Sequence, residues 1–108
     1  MVTRQMEDTR SQVAILNDQF RRSGFGVTLT CGVQSVKDLP GLLQAIKEFN
    51  VFNENNDPWG EHDFGRLDWH GDKVFWKIDY YDQELQAWED PLTGSCRRIM
   101  TVMLADEY

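Results

Sequence analysis

The sequence lacks a cysteine framework and a long apolar run, and its first residues lack the apolar core that a signal peptide would have. Its two cysteines, Cys31 and Cys96, lie far apart and both fall in predicted strands, so we expect buried thiols rather than a disulfide. No apolar run approaches the roughly 18 residues of a membrane span, so we expect no membrane insertion. The first residues lack the apolar core of a signal peptide, which favours a cytoplasmic protein.

Basic residues are also scarce. The chain has 11 Lys and Arg against 18 Asp and Glu, a net charge of −7. Because phosphate contacts need clustered cations, we expect no direct nucleic-acid binding. The imbalance is concentrated in residues 54–90, which carry eleven acidic and three basic side chains. One interpretation of this segment is that it serves solubility alone. The other is that it forms a negatively charged face, which binds a basic partner or occupies a nucleic-acid-binding site on another protein.

The length and the apolar content predict one folded domain that spans residues 1–108. The chain is 41% apolar and has thirteen aromatic residues, which is ordinary for a globular protein and too much for a disordered one. A chain of this length can bury a single hydrophobic core. The sequence contains no internal repeat and no low-complexity tract.

Helical periodicity marks two segments. The first helix ends at Gly24, and Thr9 with Gln12 forms a possible capping box near its start. Its predicted apolar face consists of Met6, Val13, Leu16 and Phe20. The second helix has Asp38 as its N-cap and Pro40 in the first turn. Its predicted apolar face consists of Leu39, Leu42, Leu43, Ile46 and Phe49.

Alternating patterns predict the strands. Residues 25–31 alternate, with Phe25, Val27, Leu29 and Cys31 on one face. Two further strands flank a two-residue turn at His70 and Gly71, and the run at 96–105 forms the last strand. The order α-β-α-β-β-β predicts an α+β domain, an antiparallel sheet of about four strands with two helices packed on one face. The residues expected to be almost fully buried are Trp76, Ile78, Leu42, Ile46, Val102 and Leu104.

Several unusual runs carry a family resemblance. They are residues 16–18, 20–21, 56–58, 60–65, 75–82, 89–91, 103–105 and 107–108, and they include NDP, GEHDFG and FWKIDYYD. With these runs the chain resembles a family of small uncharacterised bacterial proteins, a domain of unknown function. The resemblance implies no catalytic residue. Such proteins are often found on plasmids and other mobile elements, which favours an accessory or counter-defence function.

A cluster of potential metal ligands lies at residues 61–63. Glu61, His62 and Asp63 are adjacent, and Asp79 and Asp82 could approach them from the neighbouring strand. Carboxylates with one imidazole suit Mg²⁺ or Mn²⁺, and such a site could support phosphodiester hydrolysis. In a regular strand, however, successive side chains point to opposite faces and cannot converge.

The alternative is that these side chains only hold turns. In that interpretation Asp57 and Asp63 accept backbone N–H groups, and His62 bonds a carboxylate. We expect this second arrangement, with no cofactor and no assigned catalytic residue.

Aromatic residues point to a different kind of site. Phe75, Tyr81, Trp59 and Trp88 have no obvious core position. Tyr and Trp beside carboxylates are typical of protein-binding surfaces, although the two long loops could instead fold back over these rings. We define the candidate binding surface as Asp57, Trp59, Glu61, Tyr81, Asp82, Glu84, Trp88, Glu89 and Asp90.

The sequence therefore supports three hypotheses on function. The first is a small acidic accessory protein that binds a protein with a basic surface, and its sharpest form is a counter-defence inhibitor. The second is a metal-dependent hydrolase or nuclease that uses Glu61, His62, Asp63 and Asp79. The third is an antitoxin-like or structural partner whose aromatic patch forms a homodimer interface.

Overall fold

The computed structural model describes the backbone of residues 2–108 and the side chains from residue 12 onwards. Two helices, α1 and α2, span Val2–Ser23 and Leu39–Lys47. The four strands, β1 to β4, span Val27–Leu29, Phe64–Trp69, Asp72–Tyr81 and Arg97–Leu104. Short 3₁₀ turns lie at Val33–Ser35 and Ala105–Glu107. The predicted element order is confirmed. Among the helices described, none has both the length and the apolarity needed to cross a bilayer.

The sheet is mixed rather than antiparallel, which corrects the predicted topology. Its order is β1-β4-β3-β2, and β1 pairs with β4 in parallel while the other pairs are antiparallel. After β1 the chain crosses over through α2 to the far edge of the sheet. It then returns by two hairpin-like connections, which leaves β4 running in the same direction as β1. A crossover with a helix is what parallel pairing requires.

The hairpin between β2 and β3 forms at the predicted turn. Trp69 pairs with Asp72, and the intervening His70 and Gly71 have φ of 50° and 91°. Two consecutive positive φ values match the twist of the flanking strands, which is why a residue followed by glycine suits this turn.

The core lies between the helices and one face of the sheet. Of the side chains expected there, Trp76, Leu42, Ile46 and Val102 are 0% exposed and Ile78 is 3% exposed. The prediction is wrong for Leu104, which is half-buried because it ends β4.

α2 begins as predicted and α1 does not. The Asp38 carboxylate accepts a hydrogen bond from the N–H of Gly41 and so caps α2. α1 begins at Val2 rather than near Thr9, and the side chains of Thr9 and Met6 lie outside the described residues. Leu16 is 38% exposed, contrary to the predicted apolar face.

The face of α1 that packs on the sheet is partly polar. Val13 is almost fully buried, and Asn17 and Arg21 are 0% exposed. These three residues are spaced four apart, so they lie on one side of the helix. The inward face of α1 therefore carries an amide and a guanidinium into the interior.

The first strand is shorter than its alternating pattern predicts. Gly26 has φ of 67°, so regular extension begins only at Val27. Phe25 is 77% exposed and Cys31 is exposed, which corrects both the predicted strand face and the predicted burial of the Cys31 thiol. Cys96 is half-buried just before β4, and both thiols are free.

Candidate functional site

A polar network lies at the end of the sheet where β2 begins and β3 ends. It joins α1, the loop at residues 53–63, β3 and β4, and its hydrogen bonds link residues far apart in the chain. The members are Asn17, Asp18, Arg21, Asp57, Glu61, His62, Tyr80 and Arg98. Runs quoted for the family resemblance, in α1, in the loop and in β3, meet here.

Asp57 organises the loop before β2. It is 9% exposed, and its carboxylate accepts hydrogen bonds from the N–H groups of Glu61 at 3.2 Å and His62 at 3.3 Å. Gly60 completes the turn with φ of 67° and donates its N–H to the Asp57 carbonyl. Asp57 therefore works inside the loop, although the sequence placed it on the candidate binding surface.

His62 is held between two carboxylates and a ring. Its Nδ1 lies 3.0 Å from both carboxylate oxygens of Asp18, and its Nε2 lies 3.7 Å from Asp57. Because a carboxylate only accepts, Nδ1 carries the hydrogen in this pair. The imidazole stacks on Phe52 with 3.8 Å between ring centroids and 6° between planes. The expectation that His62 bonds a carboxylate is confirmed.

Arg21 ties the end of α2 to the network. Its guanidinium donates to the carbonyls of Ile46 at 3.0 Å and Phe49 at 2.8 Å, and to the Asp18 carboxylate at 2.9 Å. It also lies 5.0 Å from the Trp76 ring. Burial lowers the pKa of Arg21, but the group stays charged because a guanidinium is effectively never deprotonated in a protein.

Asn17 connects the two acidic loops, which are loop 53–63 and the loop after β3 at residues 82–96. Its amide donates to the hydroxyl of Tyr80 at 2.8 Å and to the carbonyl of Glu61 at 2.9 Å. Arg98 donates to the Asn17 side-chain carbonyl at 2.7 Å and to the Pro91 carbonyl at 2.8 Å. Loop 53–63 and the loop after β3 are therefore held by one chain of hydrogen bonds. Burial raises the pKa of Tyr80, so its hydroxyl stays protonated.

The candidate binding surface divides between these two loops. Loop 53–63 carries Trp59, whose side chain is largely exposed at 67%. The loop after β3 carries Trp88, which is 70% exposed and pairs with Tyr81 through an isolated bridge. Of the remaining surface residues, Glu84 and Asp90 are exposed and Glu61, Asp82 and Glu89 are half-buried.

The potential metal ligands at residues 61–63 point to different partners. Glu61 accepts a hydrogen bond from Tyr80, His62 faces Asp18, and Asp63 lies near Asp79. Among the described residues, no group of three or more such side chains is placed to hold a metal ion. The hydrolase hypothesis gains no support from this arrangement.

Asp63 is a carboxyl group with a strongly perturbed pKa in this region. Burial first, and then the negative charges of Glu61, Asp57 and Asp79, raise the pKa of Asp63 from 3.8 to about 6. The folded protein therefore holds this proton more tightly than the unfolded chain does. As the pH rises from about 4 to about 6, the charged carboxylate progressively destabilises the fold.

Asp63→Asn is expected to raise the free energy of unfolding at about pH 8, and to lose this advantage at about pH 4. The amide keeps the shape and one acceptor while removing the charge. Urea denaturation of both proteins across this pH range measures the difference. Asp68→Asn, an exposed carboxylate on β2, is the matched control and should show no such pH-dependent gain. A gain from Asp63→Asn that is equal at both pH values would contradict the assignment.

The sequence missed the four network members that come from α1 and β4, namely Asn17, Asp18, Arg21 and Arg98. An amphipathic pattern assigns only apolar residues to the buried face, so polar residues at 17 and 21 were placed outside. The spacing of Val13, Asn17 and Arg21 was the signal that could have located them.

The chain belongs to a family of proteins of unknown function, DUF3768, whose model matches residues 28–107. The expected resemblance to a domain of unknown function is thereby confirmed. The match covers the whole sheet apart from the first residue of β1, together with α2 and both acidic loops, and it excludes α1. No curated protein and no solved structure matches the chain.

Proposed function

We propose that this chain is a non-catalytic domain that binds a protein with a basic surface, using the candidate binding surface. One observation carries the proposal. Of the six carboxylates in the candidate binding surface, only that of Asp57 lies within ion-pair distance of a described basic side chain, which is His62. The others have no such partner among the described residues. Carboxylates that lack basic partners create a negative electrostatic potential, and this potential attracts and steers a cationic partner.

Two exposed rings provide apolar anchors within this field. Trp59 and Trp88 are each about two-thirds exposed, and they stand on the two acidic loops. Large rigid rings surrounded by polar residues supply most of the binding energy in many interfaces. The carboxylates supply attraction at long range, and the rings supply contact after encounter.

The surface is also organised before binding. The carboxylate of Asp82 accepts the N–H of Gln86 at 2.9 Å, and that of Asp90 accepts the N–H of Leu92 at 2.9 Å. The hydrogen bonds of Asn17 to loop 53–63 and of Arg98 to Pro91 join the loops to the body of the domain. Loops that are already ordered lose less conformational entropy on binding.

In the most specific form of this proposal, the partner is a protein complex that handles nucleic acid, and this chain inhibits that complex as a counter-defence factor. The support is twofold. Exposed carboxylates such as those of Glu84 and Asp90 present the negative charge that a nucleic-acid site recognises. The resemblance to proteins often found on mobile elements favours an accessory role of this kind.

The test is capture of the partner from a bacterial lysate, followed by binding kinetics at two salt concentrations. Reversing Glu84, Glu89 and Asp90 to Lys should slow association at least about tenfold at low salt, with a smaller effect at high salt. Trp88→Ala should instead speed dissociation about thirtyfold, because a buried ring acts after encounter.

The matched control reverses three exposed carboxylates at the opposite end of the sheet, Asp68, Asp72 and Asp106. It changes the net charge equally and should leave association much less affected. Equal slowing by both triple variants, or binding that ignores salt, would refute the assigned surface. The oligomeric state of the free chain, measured by light scattering, checks the homodimer alternative in the same experiment.

A further inference from the structure

A cavity of about 390 Å³ opens between loop 53–63 and the face of the sheet opposite the helices. Three aromatic rings line it, Trp59 from the loop, Phe64 from β2 and Tyr108 after β4. Phe64 and Tyr108 meet edge to face with 6.0 Å between centroids, while Tyr108 is 75% exposed. Rings that are exposed around a cavity can accept a flat or cationic group against their faces.

The same cavity carries surplus negative charge. Asp57, Asp63 and Asp79 line it together with one cation, Lys77, which pairs with Asp79 at 3.1 Å. Among the described residues, Asp63 has no basic side chain within ion-pair distance. Its raised pKa of about 6 reflects burial and three neighbouring negative charges, so a cation in the cavity would relieve repulsion that is already present.

Aromatic walls together with a carboxylate favour a guanidinium over an ammonium group. A guanidinium is planar, stacks on rings, and donates two parallel hydrogen bonds to one carboxylate. An ammonium ion is compact and strongly hydrated, so it loses more hydration free energy when it leaves water. The residues that line the cavity therefore favour an arginine side chain over a lysine side chain.

We propose that this cavity takes an arginine side chain of the partner, with the guanidinium against Trp59 and hydrogen-bonded to Asp63. The inference rests on the proposed function, since it names the group by which the basic partner is recognised. It assigns the contact to one cavity, whereas the carboxylates elsewhere on the surface act at longer range.

The test uses the intact chain and a blocked Gly-Arg-Gly peptide, followed by NMR chemical shifts. Saturable shifts are expected around residues 59–64, 77–79 and 108. A matched peptide with neutral citrulline in place of arginine should cause none, and Gly-Lys-Gly should bind more weakly. Saturation with the arginine peptide should also lower the pKa of Asp63, read from its carboxyl carbon, because a neighbouring cation favours the carboxylate.

Two variants that each remove an exposed aromatic ring locate the contact. Trp59→Ala should weaken the arginine peptide about tenfold, which corresponds to about 1.4 kcal/mol. Phe25→Ala removes an exposed ring outside both the cavity and the candidate binding surface, and it should leave peptide binding unchanged. Equal loss in both variants, equal binding of the citrulline or lysine peptide, or no saturation would overturn the proposal.

The outcomes separate this inference from the function on which it rests. If the peptide fails while partner association still depends on Glu84, Glu89 and Asp90, the cavity assignment is wrong and the proposed function stands. If the peptide binds as expected but charge reversal leaves partner association unchanged, the proposed surface is wrong and the cavity remains an arginine site.

Discussion

Arg21→Met is expected to lower the free energy of unfolding by about 4 kcal/mol. The side chain is 0% exposed, and it supplies the hydrogen bonds described above to the carbonyls of Ile46 and Phe49. Methionine fills much of the volume but donates nothing. The Phe49 carbonyl loses its side-chain donor, the Ile46 carbonyl keeps only backbone N–H groups, and the Asp18 carboxylate keeps only His62. A buried acceptor left without a donor costs about 1–3 kcal/mol.

Arg22→Met is the matched control for this measurement. Arg22 is the next residue in α1, it is exposed, and the substitution removes the same charge. Its effect should stay within about 0.5 kcal/mol. Urea denaturation followed by tryptophan fluorescence measures both variants, since Trp76 lies beside Arg21. Similar losses for the two variants would show that Arg21 acts through general charge rather than through its buried contacts.

Gly65→Ala is expected to lower the free energy of unfolding by about 3 kcal/mol. A Cβ at residue 65 would overlap the indole nitrogen of Trp76, the cross-strand partner. The indole is itself 0% exposed and lies within the hydrophobic core cluster, so any shift displaces core neighbours. Overpacking of a filled core forces side chains off their rotamers and shifts the backbone.

Two further variants test this reason. Gly94→Ala is the control, because nothing lies within 4 Å of an added Cβ there and the residue has no positive φ. Its effect should be near zero. Trp76→Phe should cost less in the Gly65→Ala background than in the wild type, since the smaller ring makes room for the methyl group. Additive losses in this double-mutant cycle would mean that the two residues do not clash.

The network at residues 17–21 explains why part of the candidate site was foreseen and part was not. The loop composition around residues 54–63 predicted turns held by carboxylates, and Asp57 forms such a turn. The contact of Asn17 with that loop, and of Arg98 with Asn17, depends on how α1 lies across the sheet. Amphipathic patterns contain no information on contacts between residues 44 or 81 positions apart.

Exposure of the rings was likewise settled by packing. The sequence left Trp59, Trp88, Phe75 and Tyr81 without core positions, and it left open whether loops would cover them. Trp59 and Trp88 are largely exposed, while Phe75 packs against Phe64 and Tyr108 on the open face of the sheet.

By itself the sequence determined the local features of this protein: the two helices, the capping of α2 by Asp38, the turn at His70 and Gly71, and the concentration of carboxylates in residues 54–90. These depend on periodicity and on the conformational preferences of neighbouring residues. The tertiary structure alone decided that β1 pairs in parallel with β4, that Arg21 is buried, and that Asp63 lies among other carboxylates beside an aromatic cavity. Each of these features results from contacts between segments that are distant in the chain. A local sequence pattern does not determine the free energy of such contacts.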